Sequence, residues 1–272
     1  MVVASALVAS GSLKGLFSVR NPLQWLRRDS QHFLVRGLKA RFLNQRVEFR
    51  LIRQHVRSTD IVCDIGANKG SFVFWLSRWC RDGTVVAFEP QPWFAALLAQ
   101  LCKQLALDNV RVEPKAVFSR SGTADLFVPK AHLQSASLLD NAKAGENVET
   151  ISVPTVRLDD YFRNDQRIAL LKIDVEGAEF DVFKGAERIL REQSPLLVFE
   201  CENRHLQGKT VQDVFAYLAS LGYSGSLVAG HRLLPVSAFD ASVHQRAEGE
   251  WFWKKKDYYN NFIFSKAPLG KQ

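Results

Sequence analysis

The amino-acid sequence predicts a doubly wound α/β sheet of Rossmann-like kind. Three observations carry this. From Asp60 onward, short apolar runs bounded by turn residues alternate with segments of helical period. The first of these runs ends in a glycine-bearing turn that opens a helix. Of the 272 residues, 47% are apolar, enough for a sizeable core.

The elements follow in order. Val35, Leu38, Phe42, Phe49, Ile52 and Val56 recur at helical intervals with Arg between them. They predict one or two amphipathic helices ahead of the sheet. Ile61–Ile65 is the first strand and Ser71–Trp79 its helix. Thr84–Glu89 and Trp93–Leu105 are the next pair, and Val110–Pro114 begins a third strand. Gly122–Val128 and Ile151–Val156 read as two extended segments around a polar excursion. Ala169–Ile173 is a buried strand, followed by one helix over Ala178–Glu192. Pro195–Glu200 and Val211–Leu221 repeat the unit, and Tyr223–Ala229 with Tyr259–Phe264 close the sheet as an antiparallel pair. Ala131–Thr150 and Ala238–Asp257 are the loops of functional interest.

Charge divides the chain. Residues 1–57 hold eleven Lys and Arg against two acids, whereas the other 215 residues hold 25 bases and 26 acids. The basic balance therefore belongs to an N-terminal extension, 1–57, and not to the domain at 58–268. Its helices either rest an apolar stripe on the domain or meet an anionic surface such as a membrane. No apolar stretch is long enough to span a bilayer, and Met1–Leu13 lacks the basic start of a secretory signal. Cys63, Cys80, Cys102 and Cys201 show no metal-binding spacing. They read as reduced thiols of a cytoplasmic protein.

The first strand runs into Asp64-Ile65-Gly66-Ala67-Asn68-Lys69-Gly70. Gly66 permits a tight turn and a close approach of ligand to backbone, and Gly70 permits close contact of helix and strand. A dinucleotide site needs a second glycine two residues after the first, so that a pyrophosphate reaches the helix N-terminus. Asn68 stands there, which disfavours an NAD-dependent oxidoreductase. S-adenosyl-L-methionine has no pyrophosphate, and its cationic sulfonium tolerates Asp64 nearby. Glu89, ending the second strand, is placed to accept hydrogen bonds from ribose hydroxyls.

The fourth core strand ends in Leu171-Lys172-Ile173-Asp174-Val175-Glu176-Gly177-Ala178-Glu179. Ligands of open α/β sheets bind beyond the carboxyl ends of the strands flanking the switch point, and this is one of them. Four ionisable groups there are costly unless paired or used. Glu176 and Glu179 have the alternative role of capping the next helix.

These two motifs, with Phe88-Glu89-Pro90, Lys115-Ala116-Val117, Ser135-Ala136-Ser137-Leu138, Val156-Arg157-Leu158-Asp159-Asp160-Tyr161 and Phe183-Lys184-Gly185-Ala186, resemble the FkbM family of methyltransferases over about residues 60–265. The resemblance implies a seven-stranded class I methyltransferase sheet with the antiparallel C-terminal pair. It implies S-adenosyl-L-methionine as methyl donor and an oxygen acceptor, a hydroxyl on a sugar, glycan or natural product. Carried over, Asp64, Gly66, Ala67, Asn68 and Gly70 would line the methionine part of the cofactor. Glu89 would bind ribose, and Pro90, Ala116 and Val117 would border adenine. Asp174 and Glu176 would face the sulfonium and the acceptor.

A hydroxyl acceptor needs a base, for which Asp174, Glu176 and His205 are the candidates. Asp174, Glu200 and Glu202 supply oxygen ligands in principle, but nothing in the sequence requires a metal. The Asn-Pro-Pro-Tyr element of base methylation is replaced by Asp174-Val175-Glu176-Gly177, which disfavours nucleic acid as acceptor. Trp251-Phe252-Trp253-Lys254-Lys255-Lys256 offers rings to a sugar face or a nucleobase, or is only an aromatic strand edge. Two competing readings are a lipid-linked or nucleic-acid-bound acceptor recruited by the basic N-terminus, and a non-catalytic binding module.

Overall fold

The computed structural model describes residues 22–139, 147–249 and 252–268. The segment Met1–Leu13, part of the Ala131–Thr150 loop and Trp251 lie outside them. Two helices come first, α1 (Pro22–Lys39) and α2 (Arg46–His55), joined by a π-helical turn at Ala40–Asn44. Then follow β1 (Ile61–Ile65), α3 (Val73–Trp79), β2 (Thr84–Phe88), α4 (Pro92–Gln104), β3 (Val110–Glu113), β4 (Ala116–Val117), β5 (Gly122–Pro129) and β6 (Val148–Val156). The second half holds α5 (Leu158–Tyr161), β7 (Ile168–Ile173), α6 (Glu179–Gly185), α7 (Glu187–Glu192), β8 (Leu196–Glu200), α8 (Val211–Ser220), β9 (Ser224–Ala229), β10 (Arg232–Pro235), α9 (Ala241–His244) and β11 (Asn261–Ser265).

The main sheet runs β10-β9-β11-β8-β7-β1-β2-β3. Strand order reverses between β1 and β7, which pair in parallel with Asp64 beside Lys172. This is the switch point, where the connections that leave two neighbouring strand ends run in opposite directions and open a crevice above them. β11 is antiparallel to both β8 and β9, as expected of the closing pair.

The sheet has eight strands rather than the expected seven. β10 adds an edge hairpin, closed by Gly230 (φ +62°) and His231. A left-handed first turn residue is what a two-residue hairpin asks for, so glycine fits. The two extended segments are β5 and β6, antiparallel partners that form a separate three-stranded sheet with β4. The single helix expected over Ala178–Glu192 is two. Gly185, a poor helix residue, sits at the break. It is pressed on the β4 end: a Cβ there would lie 2.1 Å from the Phe118 carbonyl oxygen.

Strand alternation sorts the core into two faces. Cys63, Ile65, Leu171, Ile173, Leu197 and Phe199 point to the side covered by α6, α7 and α8. Val62, Leu170 and Val198 point to the other, where Phe49, Ile52 and Val56 join them. Each large apolar side chain so buried contributes about 1.5–3 kcal/mol relative to exposure. The expected apolar stripe is divided. Its α2 half is buried, but α1 turns Phe33 and Ala40 inward and leaves Val35, Leu38 and Phe42 exposed. The buried face rests on α3, where Phe33 packs edge-on against Phe74 and Gly37 lies against Phe74 and Trp75. The Trp75 indole N–H donates to the Gly37 carbonyl at 2.8 Å. Among the described residues no helix is long and apolar enough to cross a membrane. All four cysteines are free and buried.

Candidate active site

β1 ends where the chain must turn sharply. Gly66 takes φ +75° and Asn68 φ +46°, both left-handed. A Cβ on Gly66 would lie 1.8 Å from the Asp174 carbonyl oxygen, so only glycine lets the β1 and β7 ends approach. Asn68 tolerates this backbone better than most residues. Its N–H donates to Glu89 Oε2 at 2.7 Å, and the Gln91 N–H donates to Glu89 Oε1 at 2.9 Å. Each carboxylate oxygen is thereby fixed by one backbone donor and keeps a lone pair for a ligand. Burial pushes the Glu89 carboxyl up to about 7, against the pull of those two donors.

A narrow slot opens beside this turn. Of the residues singled out from the sequence, Gly66, Asn68, Glu89, Pro90, Ala116, Val117, Asp174 and Glu176 line it, with Phe88, Gln91, Leu126 and Leu138 besides. The apolar members suit a planar base. Gln91 is buried, and its Oε1 has no hydrogen-bond partner among the described residues, an acceptor suited to an amino group.

Asp64, Ala67 and Gly70 do not line the slot. Gly70 is packed between Leu98 and Phe33 and serves the helix contact. Asp64 is 1% exposed and faces Lys172, whose Nζ lies 3.2 Å from Asp64 Oδ1 and 3.6 Å from Asp174 Oδ2. Lys172 thus ties the two strand ends together. Burial opposes its charge, but Asp64 and then Asp174 outweigh that and hold its pKa above the ordinary lysine value.

A wider cavity of about 800 Å³ adjoins the slot and shares Gln134 and Glu176 with it. Glu200, Glu202, Arg204, His205, Asn260 and Trp253 form one wall. Glu176 holds φ +54°, strained for a residue with a side chain. Its carbonyl accepts from the Ser137 hydroxyl at 2.7 Å. Gly177 next to it must be glycine, since a Cβ would lie 2.3 Å from the His205 carbonyl oxygen. The result is that Glu176 Oε2 sits 2.7 Å from His205 Nδ1. Two residues 29 positions apart, both candidates from the sequence, form one dyad.

The cavity floor is acidic. Asn260 Nδ2 donates to Glu200 at 2.7 Å and to Glu202 at 3.0 Å. Burial pushes Glu200 well above the carboxylate range, and Asp174, Glu202 and Glu176 add to it. Burial pulls Glu202 the same way. There the Arg204 guanidinium, the Tyr258 hydroxyl and Asn260 outweigh it and hold the carboxyl low. The two neighbouring carboxyls titrate as a pair, one pushed up and the other held down.

A family model for the Methyltransferase FkbM domain matches residues 64–224, more than half of the chain. The chain belongs to the FkbM methyltransferase family. Methyltransferase 1 of Beauveria bassiana is 29% identical over 147 residues, 46% of this chain and 58% of that protein. The 31-O-demethyl-FK506 methyltransferase FkbM of Streptomyces tacrolimicus is 33% identical over 161 residues, 48% of this chain and 61% of that protein. The matched stretch thus spans less than two thirds of these relatives. The crystal structure of methyltransferase FkbM from Methylobacillus flagellatus shares the fold, with a TM-score of 0.52 at 14% identity over 89% of this chain and 57% of that one.

For this FkbM-family protein, the sequence assigned no individual role to Lys172, Gln91, Arg204, Tyr258 or Asn260. A signal existed for the first: a lysine inside an otherwise apolar strand must find a carboxylate. The segment from Glu202 onward carried no reading beyond His205 and Glu202 as an oxygen ligand in principle, yet it builds the cavity wall. Asn260 and Tyr258 come from the far end of the loop before β11, and no local pattern marks them.

Proposed function

We propose that this FkbM-family protein transfers a methyl group from S-adenosyl-L-methionine to a hydroxyl of a neutral, polyhydroxylated acceptor, a sugar, glycan or natural product. When bound, the donor supplies a methyl group on a positively charged sulfur. The slot fits it: Glu89 accepts from the ribose hydroxyls, Gln91 Oε1 meets the base amine, and Ala116 and Val117 border the ring. Asp174 and Glu176 put negative charge at the junction with the wide cavity, where a cationic sulfur is favoured.

The single observation that carries the reading is the His205–Glu176 pair at that junction. With Nδ1–H donating to Glu176, His205 presents Nε2 as the basic nitrogen, the one that removes the acceptor hydroxyl's proton as the oxygen attacks. Glu176 fixes the ring and stabilises the imidazolium so formed. Trp253 offers a face for an apolar sugar surface. The Streptomyces tacrolimicus relative carries a name that refers to an oxygen-bound methyl.

The test is transfer of labelled methyl to a panel of hydroxylated acceptors by the wild type and by His205→Gln. Turnover by the variant should fall about 10²–10⁴-fold, with unchanged affinity for S-adenosylhomocysteine. Wild-type turnover by His205→Gln removes the histidine from the chemistry. Transfer to amines in preference to hydroxyls overturns the acceptor class.

A further inference from the structure

We propose that α1 and the turn after it form a docking surface for an anionic lipid membrane, with Val35, Leu38, Phe42 and Leu43 as the inserted ridge and exposed lysine and arginine as its phosphate contacts. Eight large apolar side chains stay exposed among the described residues, and these four fall within nine positions of one another. Val35, Leu38 and Phe42 share one helix face by their spacing, and Leu43 is 68% exposed. The opposite face, Phe33 and Ala40, is already committed to the core.

The ridge is held rigidly. Phe42 packs edge-on against Trp75 at 5.9 Å, and the Arg41 guanidinium lies 4.0 Å from the Trp75 ring centre. Arg36 donates to the Lys69 carbonyl at 3.2 Å, which ties α1 to the rim of the wide cavity. A preorganised ridge loses little entropy on insertion.

Charge selects the occupant. Lys39, Arg46, Arg50, Arg53 and Arg57 are all exposed. The one acid from Ser30 to Arg57 is Glu48, which is 3% exposed and whose carboxyl burial pushes up to about 7. Half-buried Asp29 acts on Arg36 and half-buried Asp60 accepts from the Arg57 backbone N–H, and the exposed bases stay in excess of these two acids. Two copies meeting through this ridge would set like charges face to face. Residues 1–21 add Lys14 and Arg20 and no acid, so that segment offers no counter-charge either. A nucleic acid would pair with the bases but gains nothing from exposed Leu and Phe. An anionic bilayer meets both needs, with apolar side chains at the acyl boundary and cations at the phosphates.

The test is co-sedimentation of the full chain with phosphatidylcholine vesicles, with and without about 30% phosphatidylserine. Leu38→Ser/Leu43→Ser and Arg46→Glu/Arg50→Glu are compared with the wild type. None of these residues belongs to the proposed chemistry, so unchanged affinity for S-adenosylhomocysteine reports an intact fold. The wild type should bind anionic and not neutral vesicles, and salt should weaken binding. Each double variant should bind at least about tenfold more weakly. No binding to anionic vesicles overturns the proposal. So does binding that both variants retain, RNA binding that the leucine variant retains, or a dimer in place of vesicle binding that the leucine variant dissolves. Vesicle binding is read without methyl transfer, so its failure leaves the transfer reaction untouched.

Discussion

The two halves of the cleft are built from different materials. The slot at the β1 and β2 ends is shaped by backbone: Gly66 allows the approach to Asp174, and two amide N–H groups hold Glu89. The cavity at the β8 and β11 ends is shaped by ionisable side chains, with Glu176, Glu200, Glu202, Arg204 and His205 in mutual contact or close range. A backbone-built site fixes one ligand and depends on conformation. A site of side chains is retuned by substitution while the strands stay in place, which suits a shared donor and a variable acceptor.

The sharpest way to break this contrast is at its hinge, Lys172. Lys172→Met leaves Asp64 buried without a cation and should cost about 3–5 kcal/mol of stability in urea unfolding. Asp64→Asn in the same chain should restore much of it. A loss below about 1 kcal/mol would show that the pair does not hold the strand ends together.

Glu89 comes next. Glu89→Gln should weaken S-adenosylhomocysteine binding by about 1–3 kcal/mol in calorimetry, with no change in fold. The wild type should also bind more weakly as pH falls through about 7, because the buried carboxyl takes up a proton there and loses acceptor capacity. Affinity flat from pH 8 to pH 6 would take the carboxylate out of ligand binding.

The third effect lies outside the cleft, at Glu48, and is confined to high pH. Its folded carboxyl is raised to about 7 by burial, above its ordinary value, so the folded state holds the proton more tightly. The stability this gives is full below the ordinary carboxyl range and is lost as pH rises through about 7. Glu48→Gln should therefore raise the unfolding free energy at pH 8.5 by about 1–3 kcal/mol and change it little at pH 4. Methyl transfer should be unaffected. Equal gains at both pH values would place the effect in packing.

The same contrast explains what was legible in the sequence. Gly66, Asn68 and Glu89 sit in consecutive strand ends, and the local turn chemistry announces them. Asp174, Glu176 and His205 were legible as candidates, but the 2.7 Å contact between the last two was not. It depends on the left-handed backbone at Glu176 and on Gly177 yielding space to the His205 backbone. Asp64 illustrates the converse: motif position suggested the cofactor, whereas a strand residue alternating inward finds Lys172 instead. Periodicity found α1 but not its buried face, because Phe33, which packs edge-on against Phe74, and the small Gly37 seat it on α3 while Val35 and Leu38 face outward.

The most direct test of the account is calorimetric titration of the wild type with S-adenosylhomocysteine, with NAD as the control. The account predicts saturable one-to-one binding of the first, weakened in Glu89→Gln, and none of the second. A folded protein that binds neither, or that binds NAD, would contradict it.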